Sequence, residues 1–216
     1  MKKILCPSMM CADFDNLKKE VELLDEAGAD MFHCDIMDGV FVPNMALSPY
    51  DVECIKRNTK KPVDVHLMVS NVEIVCDIYI DLNIDIIYIH PESSFHISKT
   101  LLRIKEAGIA PGIAISPDVS IETVKELLPL VDYIMIMTVN PGFSGQVYLQ
   151  YVNDKIDRII KIRKDYGFKI MLDGAISDKI IQTLTQKGVD GFVLGTSALF
   201  REDKDYETVL AKYRKL

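Results

Sequence analysis

Short apolar runs rich in β-branched residues alternate along the chain with stretches whose apolar positions recur every three to four residues. The first kind comprises KILCP, DMFHCDIM, PVDVHLM, DIIYIH, APGIAIS, DYIMIM, FKIMLD and GFVLG. The second comprises FDNLKKEVELLDEAG, DVECIKRN, VEIVCDIYIDLN, ISKTLLRIKEAG, IETVKELLPL, YVNDKIDRIIKIRKDYG, DKIIQTLTQKG and DYETVLAKYRKL. Brief apolar runs bounded by turn residues predict buried strands, and the helical period predicts helices that bury one face. Gly28, Gly108, Gly167 and Gly188 follow helical stretches, where glycine tolerates the positive φ of a helix end. Ser120 and Ser177 stand at helix starts, each with an acidic residue in the next turn. Repeated strand–helix units imply a parallel sheet, and eight of them predict an α/β fold closed into a (β/α)8 barrel. A doubly wound open sheet predicts a glycine-rich dinucleotide loop after an early strand, and no GxGxxG follows any of the runs. No low-complexity linker or charge block interrupts the alternation, so residues 1–216 read as one domain.

Composition narrows the partners. A hydrophobic share of 49% and a charged share of 26% are those of a water-soluble globular chain. The net charge of -7 argues against a nucleic-acid surface or an anionic membrane. It leaves room for a small anion, because backbone N–H groups hold a phosphate locally. Cys6, Cys11, Cys34, Cys54 and Cys76 form no CxxC pair and are odd in number, which fits a reducing compartment better than a disulfide framework. The opening MKKILCPSMM is too short in apolar residues for a signal peptide, and no run approaches a membrane span. A cytoplasmic location is expected.

Candidate chemistry sits at the ends of three apolar runs: His33 and Asp35 in MFHCDIM, His66 in VDVHLMV and Asp173 in KIMLDGA. Residues two apart on a strand share a face, so His33 and Asp35 aim together while Cys34 turns to the other side. Two imidazoles and two carboxylates suit one divalent transition metal, and the carboxylates also handle protons. In a barrel these residues lie at the carboxyl ends of the second, third and seventh strands, where such folds build active sites. Buried groups of this kind need partners, so their convergence is hard to explain as core packing. Two loops rich in small residues, Pro141 to Gln146 and Gly195-Thr196-Ser197, follow late strands and are phosphate-site candidates. His90 and Glu92 lie after the fourth strand, as substrate-facing groups or loop anchors; His96 is expected to face solvent. Asn44 and Gln146 are read as loop anchors or substrate contacts.

The motifs CPSMMCADF, HCDIMDGVFVPN, DVHLMVSN, MTVNPGFSGQ, LDGAIS and LGTSALF, in that order on successive strands, resemble the ribulose-phosphate 3-epimerase family. The resemblance covers almost the whole chain. It implies a phosphate-binding TIM barrel that inverts carbon 3 of a ketose phosphate, using one divalent metal ion (Zn, Mn, Co or Fe(II)). The implied ligands are His33, Asp35, His66 and Asp173, with Asp35 and Asp173 doubling as the acid–base pair. Ser8, His66 and Asp173 are expected to meet the sugar. Gly142, Phe143, Ser144, Gly145, Gly174, Ala175, Gly195, Thr196 and Ser197 are expected to surround the phosphate. Met37, Met68 and Met137 resemble the family's methionine lining of the enediolate, and a homo-oligomer is implied.

Three departures resemble the allulose 6-phosphate branch: MALSPYDV after VPN in place of an ITFGP-like run, Ala175 in DGA in place of DGG, and GTSALF in place of a GSAIF-like form. Allulose 6-phosphate is therefore the expected substrate, with ribulose 5-phosphate the alternative. A decarboxylase of the orotidine-phosphate type needs a DxKxxD arrangement, and Met37 stands where its lysine belongs. A non-catalytic ketose-phosphate sensor has no use for two carboxylates flanking carbon 3.

Overall fold

The computed structural model describes residues 3–200 and 205–216. Eight parallel strands run β1 (Ile4–Pro7), β2 (Phe32–Met37), β3 (Val63–Met68), β4 (Ile86–Ile89), β5 (Ala110–Ile115), β6 (Tyr133–Met137), β7 (Lys169–Asp173) and β8 (Gly191–Leu194). Each lies inside one of the expected apolar runs. They pair in the order β1-β8-β7-β6-β5-β4-β3-β2. The ring closes between β1 and β2 through a single parallel bridge, Ser8 to His33. The (β/α)8 barrel expected from the alternation is the fold observed.

The outer helices are α1 (Leu17–Glu26), α2 (Pro49–Arg57), α3 (Val72–Asp81), α4 (Ile97–Glu106), α5 (Ile121–Val124), α6 (Val152–Tyr166), α7 (Asp178–Lys187) and α8 (Tyr206–Lys215). Gly28, Gly108, Gly167 and Gly188 all take positive φ just beyond helix ends. Ser120 caps α5 by accepting from the Glu122 N–H. Ser177 occupies the cap position of α7 with extended backbone, but its side chain makes no cap hydrogen bond. The fifth helical stretch also differs from expectation, for α5 passes into a 3₁₀ segment over Lys125–Leu130. Pro129 is the reason: it lacks an N–H and its ring crowds the carbonyl four residues back, so an α-helix cannot run through it.

Two cores follow from the alternation of side chains along each strand. One lies between sheet and helices and includes Cys34, Val65, Ile87 and Leu172. The other fills the barrel with Cys6, Tyr88, Ala114, Met135, Met171 and Val193. A third cluster of Met37, Val42 and Met68 sits near the mouth. Inside the barrel, large and small residues face each other across neighbouring strands: Tyr88 is in register with Gly112. A Cβ on Gly112 would stand 2.4 Å from the Tyr88 ring. Gly112→Ala is therefore expected to destabilise the protein by about 1–3 kcal/mol through overpacking. Denaturant unfolding checks this, and an unchanged midpoint would refute it. Among the described residues no helix is long and apolar enough to cross a membrane.

Candidate active site

His33 and Asp35 project from β2 to the same side, and the register sets Asp35 beside His66 on β3. His33 Nε2 lies 3.1 Å, and His66 Nδ1 3.2 Å, from the same oxygen, Asp35 Oδ1. Asp173 arrives from β7, its Oδ2 3.9 Å from both ring nitrogens. One nitrogen or oxygen from each of the four residues, a set that could hold a metal ion, lies within 4.8 Å of the others. His33 and His66 are fully buried, Asp35 nearly so, and Asp173 is 16% exposed toward the mouth.

Each of these groups is held from behind. The Ser8 hydroxyl donates to Asp35 Oδ2 at 3.0 Å, which leaves Oδ1 facing the imidazoles. Asp64, two residues before His66 and on the same strand face, places Oδ1 2.6 Å from His33 Nδ1. The buried Cys6 thiol lies 3.5 Å from the other oxygen of Asp64. Thr138 fixes the turn after β7: its N–H and hydroxyl both donate to the Asp173 carbonyl, at 2.7 and 2.9 Å. His66 Nε2 lies 2.8 Å from His90 Nε2. Beyond it, His90 Nδ1 lies 3.2 Å from Ser116 Oγ, whose proton goes to Glu92 Oε1 at 2.5 Å.

With protein groups alone, these carboxylates and imidazoles take different protonation states. Burial opposes charge on His33, but Asp64 and Asp35 outweigh it and hold its pKa well above the ordinary value. Burial likewise opposes charge on Asp35, yet His33 and the hydrogen bonds keep its pKa below the usual carboxylate range. Burial and repulsion by Asp35 push Asp173 up to about 7. Burial lowers His66, and it lowers His90 to about 4, so both stay neutral near pH 7. The donor set fits a divalent transition metal. Two imidazole nitrogens and two carboxylate oxygens converge, and Asp64 provides the carboxylate behind a ligating histidine that such sites use to orient the ring.

A cleft open to solvent lies over the cluster. Its walls carry Ser8, Asp35, Asp173, the three methionines Met37, Met68 and Met137, and the loops Gly142 to Gly145, Gly174-Ala175 and Gly195 to Ser197. His33 and His66 lie beneath this surface. Gly174 has φ 115, and a Cβ there would lie 2.5 Å from Val139, so only glycine fits the turn. Ala175 carries a positive φ of 49, an uncommon conformation for a residue with a Cβ. Asn44 donates to the Gly142 carbonyl at 2.6 Å, and Gln146 to the Asn140 and Phe143 carbonyls. Both anchor the phosphate-candidate loop. His96 is exposed at the start of α4. Cys11, Val139 and Asn140 also line the cleft; they lie within the motifs quoted above, but none was singled out there as a site residue.

A family model described as the ribulose-phosphate 3 epimerase family matches residues 4–200. A ribulose-phosphate 3-epimerase of Helicobacter pylori (strain J99) is 39% identical over 202 residues, covering 93% of this chain and 92% of that protein. One from Synechocystis is 36% identical over 210 residues, covering 95% and 91%. Among solved structures, a mutant tryptophan synthase alpha-subunit from Pyrococcus furiosus superposes with a TM-score of 0.71 at 14% identity, covering 100% and 98% of the two chains. A thiamine phosphate pyrophosphorylase from the same organism gives 0.60 at 18%, covering 99% and 96%. At those identities the structures speak for the barrel alone, whereas the family match and the sequence relatives reach the chemistry. The chain belongs to the ribulose-phosphate 3-epimerase family, and is an isomerase of the epimerase type.

Proposed function

We propose that the chain interconverts D-ribulose 5-phosphate and D-xylulose 5-phosphate by inverting carbon 3. The observation that carries the chemistry is the pair Asp35 and Asp173, which reach one cleft from β2 and β7 with opposite protonation tendencies. Inversion needs a base on one face of the carbon and an acid on the other. Asp35, held ionised, takes the C3 proton of one epimer, and Asp173, poised near neutrality, returns a proton on the opposite face. The pair is then left with reversed protonation, and the other epimer resets it. His33, Asp35, His66 and Asp173 would hold a divalent ion, which supplies Lewis-acid stabilisation of the negative charge beside carbon 3. Met37, Met68 and Met137 cover the reacting carbons with polarizable, water-excluding surface. The loops Gly142 to Gly145, Gly174-Ala175 and Gly195 to Ser197 receive the phosphate.

The five-carbon sugar is preferred over the six-carbon one expected from motif departures. The relatives above carry the name ribulose-phosphate 3-epimerase, and nothing supports an allulose phosphate. Part of the departure has another explanation in the fold. Leu47 is buried in the helix–sheet core, Ser48 and Asp51 form a reciprocal cap on α2, and Pro49 sits in its first turn. LSP thus builds a helix start. Catalytic efficiency on the two sugars, measured with one metal-loaded preparation, tests the choice. One added carbon shifts discrimination by about 1–3 kcal/mol, so about a 10- to 200-fold preference for ribulose 5-phosphate is expected. Equal or greater efficiency on allulose 6-phosphate would reverse the assignment. Failure of both sugars to exchange the C3 proton in heavy water would remove this reading of the chemistry altogether.

A further inference from the structure

Behind His66 runs a line of polar groups, buried at His90 and Ser116 and reaching the surface at Glu92, that takes no part in the proton transfers above. His66 Nε2 faces His90 Nε2 at 2.8 Å, and His90 Nδ1 faces Ser116 Oγ at 3.2 Å and Glu92 Oε1 at 3.4 Å. Ser116 has one hydroxyl proton, and its 2.5 Å contact with Glu92 uses it. A carboxylate only accepts, so the Ser116 oxygen has only lone pairs to offer His90. His90 Nδ1 must then carry the ring proton. In a neutral imidazole that makes His90 Nε2 the acceptor, and His66 Nε2 must donate to it. The one position left without a proton is His66 Nδ1, which points at Asp35 Oδ1 from 3.2 Å. Two acceptors facing each other at that distance call for a cation between them.

We infer that His90, set by Ser116 and Glu92, is a positioning residue that fixes His66 in the tautomer whose Nδ1 lone pair serves the divalent ion. It is the counterpart of Asp64 behind His33, with a neutral imidazole in place of a carboxylate as the orienting group. The Phe41 ring packs on His90 at 4.9 Å between centroids and helps confine its plane. The inference rests on the ion site of the proposed function and says how one of its ligands is prepared.

The test uses zinc affinity of the full-length protein, measured by competition with a chelator, together with ¹⁵N spectra of the His66 ring in the metal-free protein. His90→Phe keeps the ring volume but removes the acceptor, and is expected to weaken zinc binding about 10- to 100-fold. His90→Gln restores an acceptor for His66 and a donor for Ser116, and is expected to bind within about threefold of the parent on the same reasoning. Glu92→Leu, at an exposed position, frees the Ser116 proton to turn toward His90 Nδ1. That reverses the line, and the His66 spectrum is expected to move toward the Nδ1–H tautomer with weakened zinc binding. Parent-like affinity in His90→Phe, or no recovery in His90→Gln, would overturn the inference. Where His90→Phe does not fold, Glu92→Leu decides: an unshifted His66 tautomer with parent-like affinity overturns it. A parent protein without a zinc site would remove the proposed function and the inference together. A tight parent site with unaffected variants removes the inference alone.

Discussion

Asp173→Asn is expected to lower turnover by about a hundred- to ten-thousandfold, the range lost with a positioned proton-transfer group. Asp35→Asn should do the same. The exchange is nearly isosteric, so the turn held by Thr138 and the barrel beneath it should survive. What disappears is proton capacity on one face of carbon 3. A variant that keeps the other carboxylate can still strip and return a proton on its own face. Such a variant should wash solvent deuterium into one epimer without converting it to the other. Because both residues belong to the proposed ligand set, ion content must be measured beside turnover. Near-normal turnover in either variant at full ion content would reject the assignment.

Removing the divalent ion is expected to abolish activity, and returning zinc, manganese, cobalt or iron(II) to restore it. The four candidate ligand atoms converge with two carboxylates among them, and without a metal the raised pKa values of His33 and Asp173 offset that negative charge with protons. A proton on His33 Nε2, which faces Asp35 Oδ1, would compete with the ion for that nitrogen. The carboxylates of the metal-free protein lose the cation that stabilises charge beside carbon 3, an effect worth several kcal/mol. Elemental analysis beside an activity assay checks this. Fully active protein with no bound metal would exclude the metal-assisted mechanism.

Much of the site was legible in the sequence because strand geometry is periodic. His33 and Asp35, two apart in an apolar run, had to share a face, and the barrel rule put them with His66 and Asp173 at one mouth. The same rule marks Asp64 beside His66, yet a carboxylate deep inside an apolar run reads as unexplained until its partner, His33, is seen in space. The line from His66 to His90 to Ser116 joins β3, β4 and β5 and has no signature along the chain. The register alone brings it together. LSP admits two readings for a related reason: a helix cap and a substrate contact use the same residue types. Pro129 was visible in the sequence, but the periodicity around it was strong enough to suggest an unbroken helix.

The ring of strands has one weak joint. Seven neighbouring pairs are laced by ladders, while among the described residues β1 and β2 form no ladder and are joined by the bridge from Ser8 to His33 and the hydrogen bond from the Asp30 N–H to the Leu5 carbonyl. That joint lies directly beneath the reacting groups. Ser8 belongs to one side of it, and His33 and Asp35 to the other. The hydrogen bond from Ser8 to Asp35 spans it, and the path from Asp35 to Asp173 crosses it by way of β1 and β8. Any occupant that grips Asp35 and Asp173 together therefore acts as a clasp on the hoop. An occupant held at a thousand times its dissociation constant adds about 4 kcal/mol to the folded state. Emptying the site thus loosens the barrel at its seam, and the machinery for moving one proton is also part of what keeps the hoop shut.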